Sequence, residues 1–301
     1  MTTRCGLFDL NGTNAMHSTQ DRLPRSGALI ALRALNDCMP DKGTSMKLVI
    51  IGGTGLIGSK LVTRLREHGH NAVAASPHTG VNTLNGEGLA DALQGAAVVV
   101  DVSNSPSFEE VVAMKFFTTS THNLLRYEAA SGVKHHVALS VVGIERLPDY
   151  PYFRAKMAQE ALIRESSIPY SIVRATQFFE FVPTIAATAT TGNIVRLPPV
   201  LIQPMAADDV AKAVGKIAVG TPVNGMVEIA GPETFRLDEL ILQELTARRD
   251  SREVVADPHA RYFGGIPNER TLVPGDGALL GEIRFQEWLD QPMTMAGGPA
   301  G

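Results

Sequence analysis

The sequence predicts an α/β fold in which helices cover both faces of a parallel sheet. Short apolar runs alternate with helix-like segments from Met46 to about residue 174, and this alternation is typical of parallel βαβ units. The first run, Leu48–Ile51, is apolar at every position, as expected of a strand that is buried on both faces. A glycine-rich turn at residues 52–58 then leads into an amphipathic segment. These observations predict a doubly wound parallel sheet with its ligand cleft at the carboxyl ends of the strands.

The predicted elements alternate regularly through the first part of this region. A helix from Gly55 to His68 would carry Ile57, Leu61 and Leu65 on one face. After this helix, the pattern predicts a strand at Asn71–Ala75, a short helix at Leu89–Leu93, a strand from Val98 to Asp101, a helix at about Lys115–Ala130, a strand at His136–Ser140, a helix at Tyr152–Glu165 and a strand at Tyr170–Arg174.

The pattern becomes less regular after Phe181. Asp208 is predicted to cap a helix at Asp209–Val219, and a late strand at Met226–Ala230 precedes a further helix at Leu237–Leu245. We therefore expect one α/β domain at residues 46–301, which includes a small C-terminal lobe on the substrate side at about residues 182–292. Residues 1–45 carry scattered Gly, Pro, Ser and Asn, and we predict that they form a poorly ordered N-terminal extension.

The composition argues against several classes of partner. The formal net charge is -4 and no cluster of Lys and Arg is present, so nucleic-acid binding is not expected. The chain has two cysteines and neither a CxxC nor an HExxH motif, so no metal site is predicted. The apolar run near the start, Ala28–Leu32, is too short to span a bilayer, so no membrane contact is expected. We expect a cytoplasmic protein that acts on a small-molecule substrate, and self-association into a homo-oligomer stays open.

The glycine-rich turn has the spacing of a phosphate-binding loop. Gly52 would permit a sharp bend, and Gly55 would let a pyrophosphate approach the backbone closely. Gly58 would let the helix pack tightly against the sheet. The start of the following helix offers free N–H groups to an anion. The motif therefore predicts a dinucleotide site, although a glycine turn in another kind of α/β protein stays open. The residues predicted to bind the cofactor here are Gly52, Thr54, Gly55, Leu56, Ile57 and Gly58.

The choice of nucleotide depends on the end of the second predicted strand. An acidic residue about 20 positions after the first glycine would bind the ribose 2′-hydroxyl of NAD. The corresponding segment, residues 74–78, has no carboxylate, and Ser76 or His78 could hydrogen-bond to a 2′-phosphate. We therefore predict NADP as the cofactor, with NAD as the alternative because the segment has no arginine. Ser76 and His78 could equally be ordinary loop residues.

A second group of polar residues follows the strands at their carboxyl ends. Tyr152 and Lys156 are four positions apart, so they project from one face of one helix, and Pro151 suits the first helical position. Ser140 closes the preceding predicted strand, at the sheet edge where a substrate is expected to lie. The spacing therefore brings a phenol and an amine to the predicted cleft.

These segments together resemble the atypical short-chain dehydrogenases/reductases, in particular the NmrA-like group and its NAD(P)H-dependent reductase relatives. The resemblance is carried by KLVIIGGTGLIG, VVVDVSN, HHVALSVVG, YFRAK and PYSIVRATQFF, and it runs from about Met46 to Phe181. It implies a Rossmann-type fold in which Tyr152 is the general acid or base. It also implies that Lys156 binds the nicotinamide ribose and lowers the tyrosine pKa, and that Ser140 orients the substrate carbonyl. The alternative is that Tyr152 only packs at the start of its helix and that Lys156 is a ribose ligand without a part in catalysis.

Two further groups of contacts are expected, the first from the resemblance and the second from the clustering of three phenylalanines just after the strand predicted at Tyr170–Arg174. Ser103 and Asn104, which follow strand-end Asp101, would lie on the nicotinamide side of the cofactor, although an Asx turn explains them nearly as well. Phe178 and Phe179, together with Phe181, could form the wall of an apolar substrate pocket, and packing in the core is the alternative.

The predicted function is an NAD(P)H-dependent oxidoreductase that transfers hydride to a small carbonyl or quinone-like substrate. Two alternatives stay open. The first is a redox-sensing or regulatory protein that binds the nucleotide without turnover, and the second is an epimerase or dehydratase that uses the same residues.

Overall fold

The structure is a computed structural model that describes residues 45–291. The N-terminal extension predicted at residues 1–45 lies outside the described residues, apart from Ser45. Between residues 45 and 291, no helix combines the length and the apolarity that crossing a bilayer requires.

The described strands and helices follow the predicted alternation. The strands are β1 Lys47–Ile51, β2 Asn71–Ala75, β3 Val98–Asp101, β4 His135–Val141, β5 Tyr170–Ala175, β6 Thr190–Thr191, β7 Ile194–Leu197, β8 Leu201–Ile202, β9 Gly225–Ala230, β10 Phe235–Arg236, β11 Glu253–Ala256 and β12 Leu279–Leu280. The α-helices are α1 Leu56–Glu67, α2 Leu89–Leu93, α3 Glu110–Ser131, α4 Pro151–Glu165, α5 Val182–Thr188, α6 Ala207–Val219, α7 Leu237–Ala247 and α8 Phe285–Leu289.

Seven strands form one parallel sheet in the order β12-β9-β5-β4-β3-β1-β2. Alternate residues of β1 show why its sequence is apolar from Leu48 to Ile51. Leu48 and Ile50 pack in a core with residues of α1 and α6, whereas Val49 and Ile51 pack with residues of α2 and α3 on the other face. Both faces of the strand are therefore covered at these four positions, which are buried. The predicted doubly wound α/β fold is confirmed.

The sheet has its switch point at β1. β1 lies between β2 and β3. The chain therefore forms β2 on one side of β1 and then crosses to form β3 and the later strands on its other side. In open sheets of this kind, ligands bind beyond the carboxyl ends of the strands at such a point. The glycine-rich turn directly follows β1 and therefore lies at the position that this topology favours for a nucleotide.

The C-terminal part of the chain adds small sheets and a second apolar core. Strands β11, β7 and β6 form one sheet, and β10 pairs with β8. Their core includes Phe179, Val182, Leu240, Ile241 and Phe285. Short, interrupted strands of this type have little periodicity, which is why the sequence pattern did not predict them.

Two helices begin more than one residue from their predicted starts. Helix α3 begins at Glu110, five residues before the predicted Lys115, and its first turn exposes Val111 (79%) and Val112 (37%) to solvent. Because apolar residues are exposed in that turn, no amphipathic signal marks it.

The predicted capping role of Asp208 is wrong. Helix α6 begins at Ala207, and the N–H of Ala207 is bound by the carboxylate of Glu180 at 3.1 Å. Asp208 instead accepts hydrogen bonds from Lys60 and Arg64 of α1, at 2.7 Å and 3.4 Å. A carboxylate from a distant segment therefore replaces the local cap.

Candidate functional site

The turn after β1 is built from backbone atoms. Gly52 has φ +77°, a conformation that glycine adopts without strain, and its carbonyl accepts the N–H of Gly55 at 2.9 Å. The first backbone bond of α1 joins Ser59 N to Gly55 O at 2.9 Å. The amides of Leu56, Ile57 and Gly58 therefore begin the helix without a partner in the preceding turn, and they present positive charge to an anion.

The space around this turn fits a pyrophosphate. A Cβ atom at Gly58 would lie 2.1 Å from Gly52 O, so a side chain there is sterically excluded. A Cβ atom at Gly55 would have only one atom within 4 Å, at 3.3 Å, so the space outside Gly55 is open. Thr54, Gly55 and Leu56 are exposed beside it. The residues present thus form a shallow backbone cradle of the kind that holds a dinucleotide.

Ile57 differs from its neighbours in the turn. Its side chain is buried in the core between sheet and helices, so only its backbone amide is available to a ligand.

At the end of β2, Ser76 is buried, His78 is exposed and no acidic side chain occurs between residues 74 and 78.

A buried polar group, which we call the Asp101 cluster, lies where β3 ends and consists of Asp101, Ser103, Lys156 and Gln159. One carboxylate oxygen of Asp101 accepts the N–H and the hydroxyl of Ser103, at 3.0 Å and 2.6 Å. The other accepts the Gln159 amide at 3.0 Å. Both Asp101 and Lys156 are 2% exposed. The predicted Ser103 thus lies at the site, but its hydroxyl is bound to Asp101.

Lys156 is bound by neutral groups. Its Nζ donates to Leu139 O at 2.8 Å and to Gln159 Oε1, and it lies 4.3 Å from the centre of the Phe117 ring. Within residues 45–291 it forms no ion pair with a carboxylate. Burial lowers the pKa of Lys156 to about 8, although the charges of Asp101 and Glu160 oppose this shift. The amine is therefore mostly charged at neutral pH and loses its proton at mildly alkaline pH.

Tyr152 lies one helical turn before Lys156 on α4. Pro151 is the first residue of that helix, as predicted. The Tyr152 hydroxyl donates to Asn104 Oδ1 at 2.9 Å. Burial, reinforced by the charge of Asp101, raises the pKa of Tyr152 well above its ordinary value. The lowering of this pKa by Lys156 that the resemblance implies is therefore not observed, because burial and a nearby carboxylate both disfavour the phenolate. The phenol therefore keeps its proton throughout the physiological range and can act as a proton donor.

Three partly exposed rings, Phe108, Phe181 and Phe263, contact one another beside Tyr152, and we call them the aromatic wall. Of the three, Phe108 contacts the Tyr152 ring directly. The centre of the Phe108 ring lies 5.3 Å from that of Tyr152, 6.1 Å from that of Phe181 and 6.4 Å from that of Phe263. These residues come from three separate segments: the β3–α3 connection, the start of α5 and the C-terminal part. The wall gives the polar site an apolar border.

Ser140 belongs to a different group, the Glu160 cluster, which consists of Ser140, Glu145, Glu160, Arg164 and Arg174. Its hydroxyl donates to Glu160 Oε1 at 2.6 Å, and the residue is 3% exposed. Two guanidinium nitrogens of Arg174 donate to the same carboxylate at 2.9 Å and 2.8 Å, and a third donates to Glu145 at 2.8 Å. The carbonyl-orienting role predicted for Ser140 would require its bond to Glu160 to break.

The predicted pocket residues lie in apolar cores. Phe179 is fully buried, with its ring 5.1 Å from Phe285 and 5.6 Å from Trp288, so the pocket role predicted for it is wrong. Phe178 packs against the core between the main sheet and its helices. Because this segment enters the second core, only Phe181 of the three phenylalanines reaches the aromatic wall.

Several residues of the site were not predicted. Gln159 had a signal, because it lies three positions after Lys156 and thus shares its helix face. Phe108, Phe117 and Phe263 had none, because a single phenylalanine in a loop or helix is more often a core residue.

Together, a seven-stranded parallel sheet, a glycine turn at its switch point and a Tyr–Lys pair on one helix define a protein of the atypical short-chain dehydrogenase/reductase type. Residues 52–218 match the model of a family described as NAD(P)H-binding. The match covers more than half of the chain, and the chain belongs to this family. The resemblance stated from the sequence is confirmed.

Curated relatives include reductases and an assembly factor. The chain is 22% identical over 149 residues to the photosystem II assembly factor Ycf39 of Synechocystis sp., which covers 45% of this chain and 46% of the relative. It is 26% identical over 216 residues to the (4-alkanoyl-5-oxo-2,5-dihydrofuran-3-yl)methyl phosphate reductase of Streptomyces griseus, covering 65% of this chain and 72% of the relative. The chain thus spans about half the length of the Ycf39 protein.

Solved structures with this fold include a complex with NAD. The protein MoeE5 in complex with UDP-glucose and NAD has a TM-score of 0.63 at 17% identity, covering 81% of this chain and 96% of that chain. A dTDP-4-dehydrorhamnose reductase from Clostridium acetobutylicum has a TM-score of 0.60 at 16% identity, with 81% and 98% covered. At such identities the shared property is the fold.

Proposed function

We propose that this protein is an NAD(P)H-dependent reductase of a small carbonyl or quinone-like substrate, with Tyr152 as the proton donor. The observation that carries the proposal is the Tyr152 hydroxyl, hydrogen-bonded to Asn104 and one helical turn from the buried Lys156. The reductases among the relatives, from Streptomyces griseus and Cucumis sativus, support a reductase in general. The second is by its name a vinyl reductase, so the choice of a carbonyl or quinone-like substrate rests on Tyr152.

Each part of the proposed cofactor site has a distinct task. The amides of Leu56, Ile57 and Gly58 would bind the pyrophosphate, and Lys156 would hold the nicotinamide ribose. NADP is the favoured nucleotide because no carboxylate at the end of β2 would repel a 2′-phosphate, to which Ser76 and His78 are assigned. A reduced nicotinamide, when bound, supplies two electrons and one proton as hydride to the substrate carbon.

The chain supplies the second proton. As the substrate oxygen gains negative charge, Tyr152 donates its hydroxyl proton to it, and the carbonyl becomes an alcohol. The positive charge of Lys156 stabilises the phenolate that this step leaves behind. Before the step the Tyr152 hydroxyl donates to Asn104 Oδ1, and this hydrogen bond breaks as the proton passes to the substrate oxygen. Solvent returns a proton to Tyr152 after product release. The aromatic wall is itself partly exposed, so exclusion of water from the reacting oxygen would depend on the bound substrate.

The test is the variant Tyr152→Phe, which keeps the ring and removes the proton. We expect kcat to fall by roughly 10²- to 10⁴-fold, while the dissociation constant of NADPH stays unchanged. The matched control is Tyr170→Phe, which makes the same change at the start of β5, outside the site, and should keep full turnover.

Measurements with all four pyridine nucleotides complete the test. Calorimetry should give a lower dissociation constant for NADPH than for NADH. Normal turnover by Tyr152→Phe would reject the proton-donor role. Nucleotide binding without reduction of any carbonyl or quinone would favour the regulatory binding protein instead.

A further inference from the structure

The aromatic wall is open to solvent beside the proposed proton donor. Phe108 is 38% exposed, and Phe181, Phe263 and Tyr152 are each partly exposed. Aromatic rings that converge next to a polar group, without being buried, are typical of a surface that receives a ligand. The wall therefore offers apolar surface next to Tyr152, since the centre of the Phe108 ring lies 5.3 Å from the centre of the Tyr152 ring.

Phe263 reaches the wall through an unfavourable turn. Tyr262 and Gly265 exchange backbone hydrogen bonds of 2.8 Å and 3.1 Å, which closes a two-residue turn. Both central residues, Phe263 at φ +47° and Gly264 at φ +92°, have left-handed backbone conformations. Asn, Asp and Gly are the residues that usually occupy the first central position of such a turn, because a bulky side chain is strained there.

Stacking holds the Phe263 ring in this conformation. The ring lies 5.2 Å from the ring of Tyr150 at an interplanar angle of 15°, and 5.8 Å from the ring of Phe181 at 19°. Among residues 45–291, the other non-glycine positions with positive φ are Asn224 and Arg249, and neither carries an aromatic ring. Strained residues of this type are characteristic of binding sites, where the position of the side chain matters more than local stability.

We propose that Phe263 is a specificity-determining residue and that the substrate of this site is a flat, conjugated ring that lies against the aromatic wall. The proposal rests on the proposed function, because it places the ring's carbonyl oxygen at Tyr152. A flat ring stacks on or abuts the wall at the separations that aromatic pairs favour. A saturated ring of the same size is puckered and thicker, and it lacks this stacking contribution.

The experiment compares two probes of matched size and polarity, 2-naphthol and decahydro-2-naphthol, by calorimetry with NADPH-saturated protein. We expect the parent protein to bind the flat probe about tenfold more tightly than the saturated one. The variant Phe263→Leu should reduce this ratio to about threefold or less. The control Phe235→Leu makes the same change at a half-buried ring of the second core and should keep the tenfold ratio.

A second variant separates binding from folding. Asparagine tolerates the left-handed conformation, so Phe263→Asn relieves the backbone strain, although it also removes the ring contacts with Tyr150 and Phe181. Circular dichroism should show that this variant is folded, and it should still lose the preference for the flat probe. Equal binding of both probes by the parent, or an unchanged ratio in Phe263→Leu, would overturn the proposal. A folded Phe263→Asn that keeps the tenfold ratio would also overturn it.

Failure of the proposed function would give a different result. Because the probes are not reduced, their binding is measured without turnover. If Tyr152→Phe kept normal turnover while the flat probe still bound through Phe263, the reductase mechanism would fail and the ring-binding site would stand.

Discussion

Helix α4 carries two buried polar clusters whose charges are arranged in opposite ways. In the Glu160 cluster, opposite charges are in direct contact, since Arg174 binds both Glu160 and Glu145, and Arg164 also binds Glu160. In the Asp101 cluster, the amide of Gln159 lies between the carboxylate of Asp101 and the ammonium of Lys156. Helix α4 contributes Lys156 and Gln159 to one cluster and Glu160 and Arg164 to the other. The difference in charge arrangement therefore comes from the residues that other segments bring to each cluster.

Because of this difference in charge arrangement, we interpret the Glu160 cluster as stabilising and the Asp101 cluster as reactive. In the Glu160 cluster, burial would raise the pKa of Glu160, but hydrogen bonds from Arg174 and Ser140 outweigh burial and hold the pKa below its usual range. In the Asp101 cluster, no contact of this strength compensates Lys156, and its pKa falls. A charge that is not neutralised by a direct partner remains available to a ligand or to a neighbouring phenolate.

The largest expected effect is on stability, in the Glu160 cluster. Replacing Arg174 with methionine leaves the buried carboxylate of Glu160 with only a partly exposed arginine as counter-ion. Removing one partner of a buried ion pair destabilises a protein by about 3–5 kcal/mol, and we expect a loss of that size in the free energy of unfolding. Urea denaturation followed by circular dichroism measures it.

The affinity of this variant for NADPH provides the control. Arg174 has no contact with the Asp101 cluster in its hydrogen bonds or ion pairs, so the protein that remains folded should bind the nucleotide normally. A loss of unfolding free energy below about 1 kcal/mol would contradict the structural role of this cluster.

An intermediate effect is expected on the pH dependence of turnover, in the Asp101 cluster. Since the pKa of Lys156 is lowered to about 8, the charged amine is lost as the pH rises through that value. We expect log(kcat/KM) to decline above about pH 8 and to approach a tenfold loss per pH unit. The raised pKa of Tyr152 places the loss of its proton at higher pH, so it does not cause this decline.

The variant Lys156→Met identifies the group responsible. Its residual activity should be low and should no longer decline between pH 7 and pH 9, because the titrating amine is gone. A decline at the same pH in this variant would assign the titration to another group.

The smallest effect is expected from Ser140→Ala. This change removes one donor from Glu160, which keeps its bonds to Arg174 and Arg164. We expect a loss of about 1 kcal/mol in the free energy of unfolding and an unchanged kcat. A large fall in kcat without a loss of stability would instead support the substrate contact that the sequence predicts for Ser140.

The residues discussed above differ in how well the sequence predicts their position and contacts in the fold. Gly52 and Gly58 are predictable, because a sharp turn and a tight packing contact each exclude a side chain locally. Tyr152 and Lys156 are predictable, because helix geometry alone sets them on one face. Ser140 is not, since the sequence places it at a strand end but does not reveal that Glu160 lies opposite.

By itself, the sequence determined the features that depend on neighbours along the chain. These are the alternation of strands and helices, the backbone cradle after β1 and the Tyr–Lys pair, all of which follow from hydrophobic period, glycine conformation and helical spacing. Tertiary structure decided which side chains meet across the fold: Glu180 at the start of α6, Gln159 between Asp101 and Lys156, and Phe263 against Phe181. Such contacts join segments distant in sequence, so no local pattern encodes them, and only the packing of the whole chain brings them together.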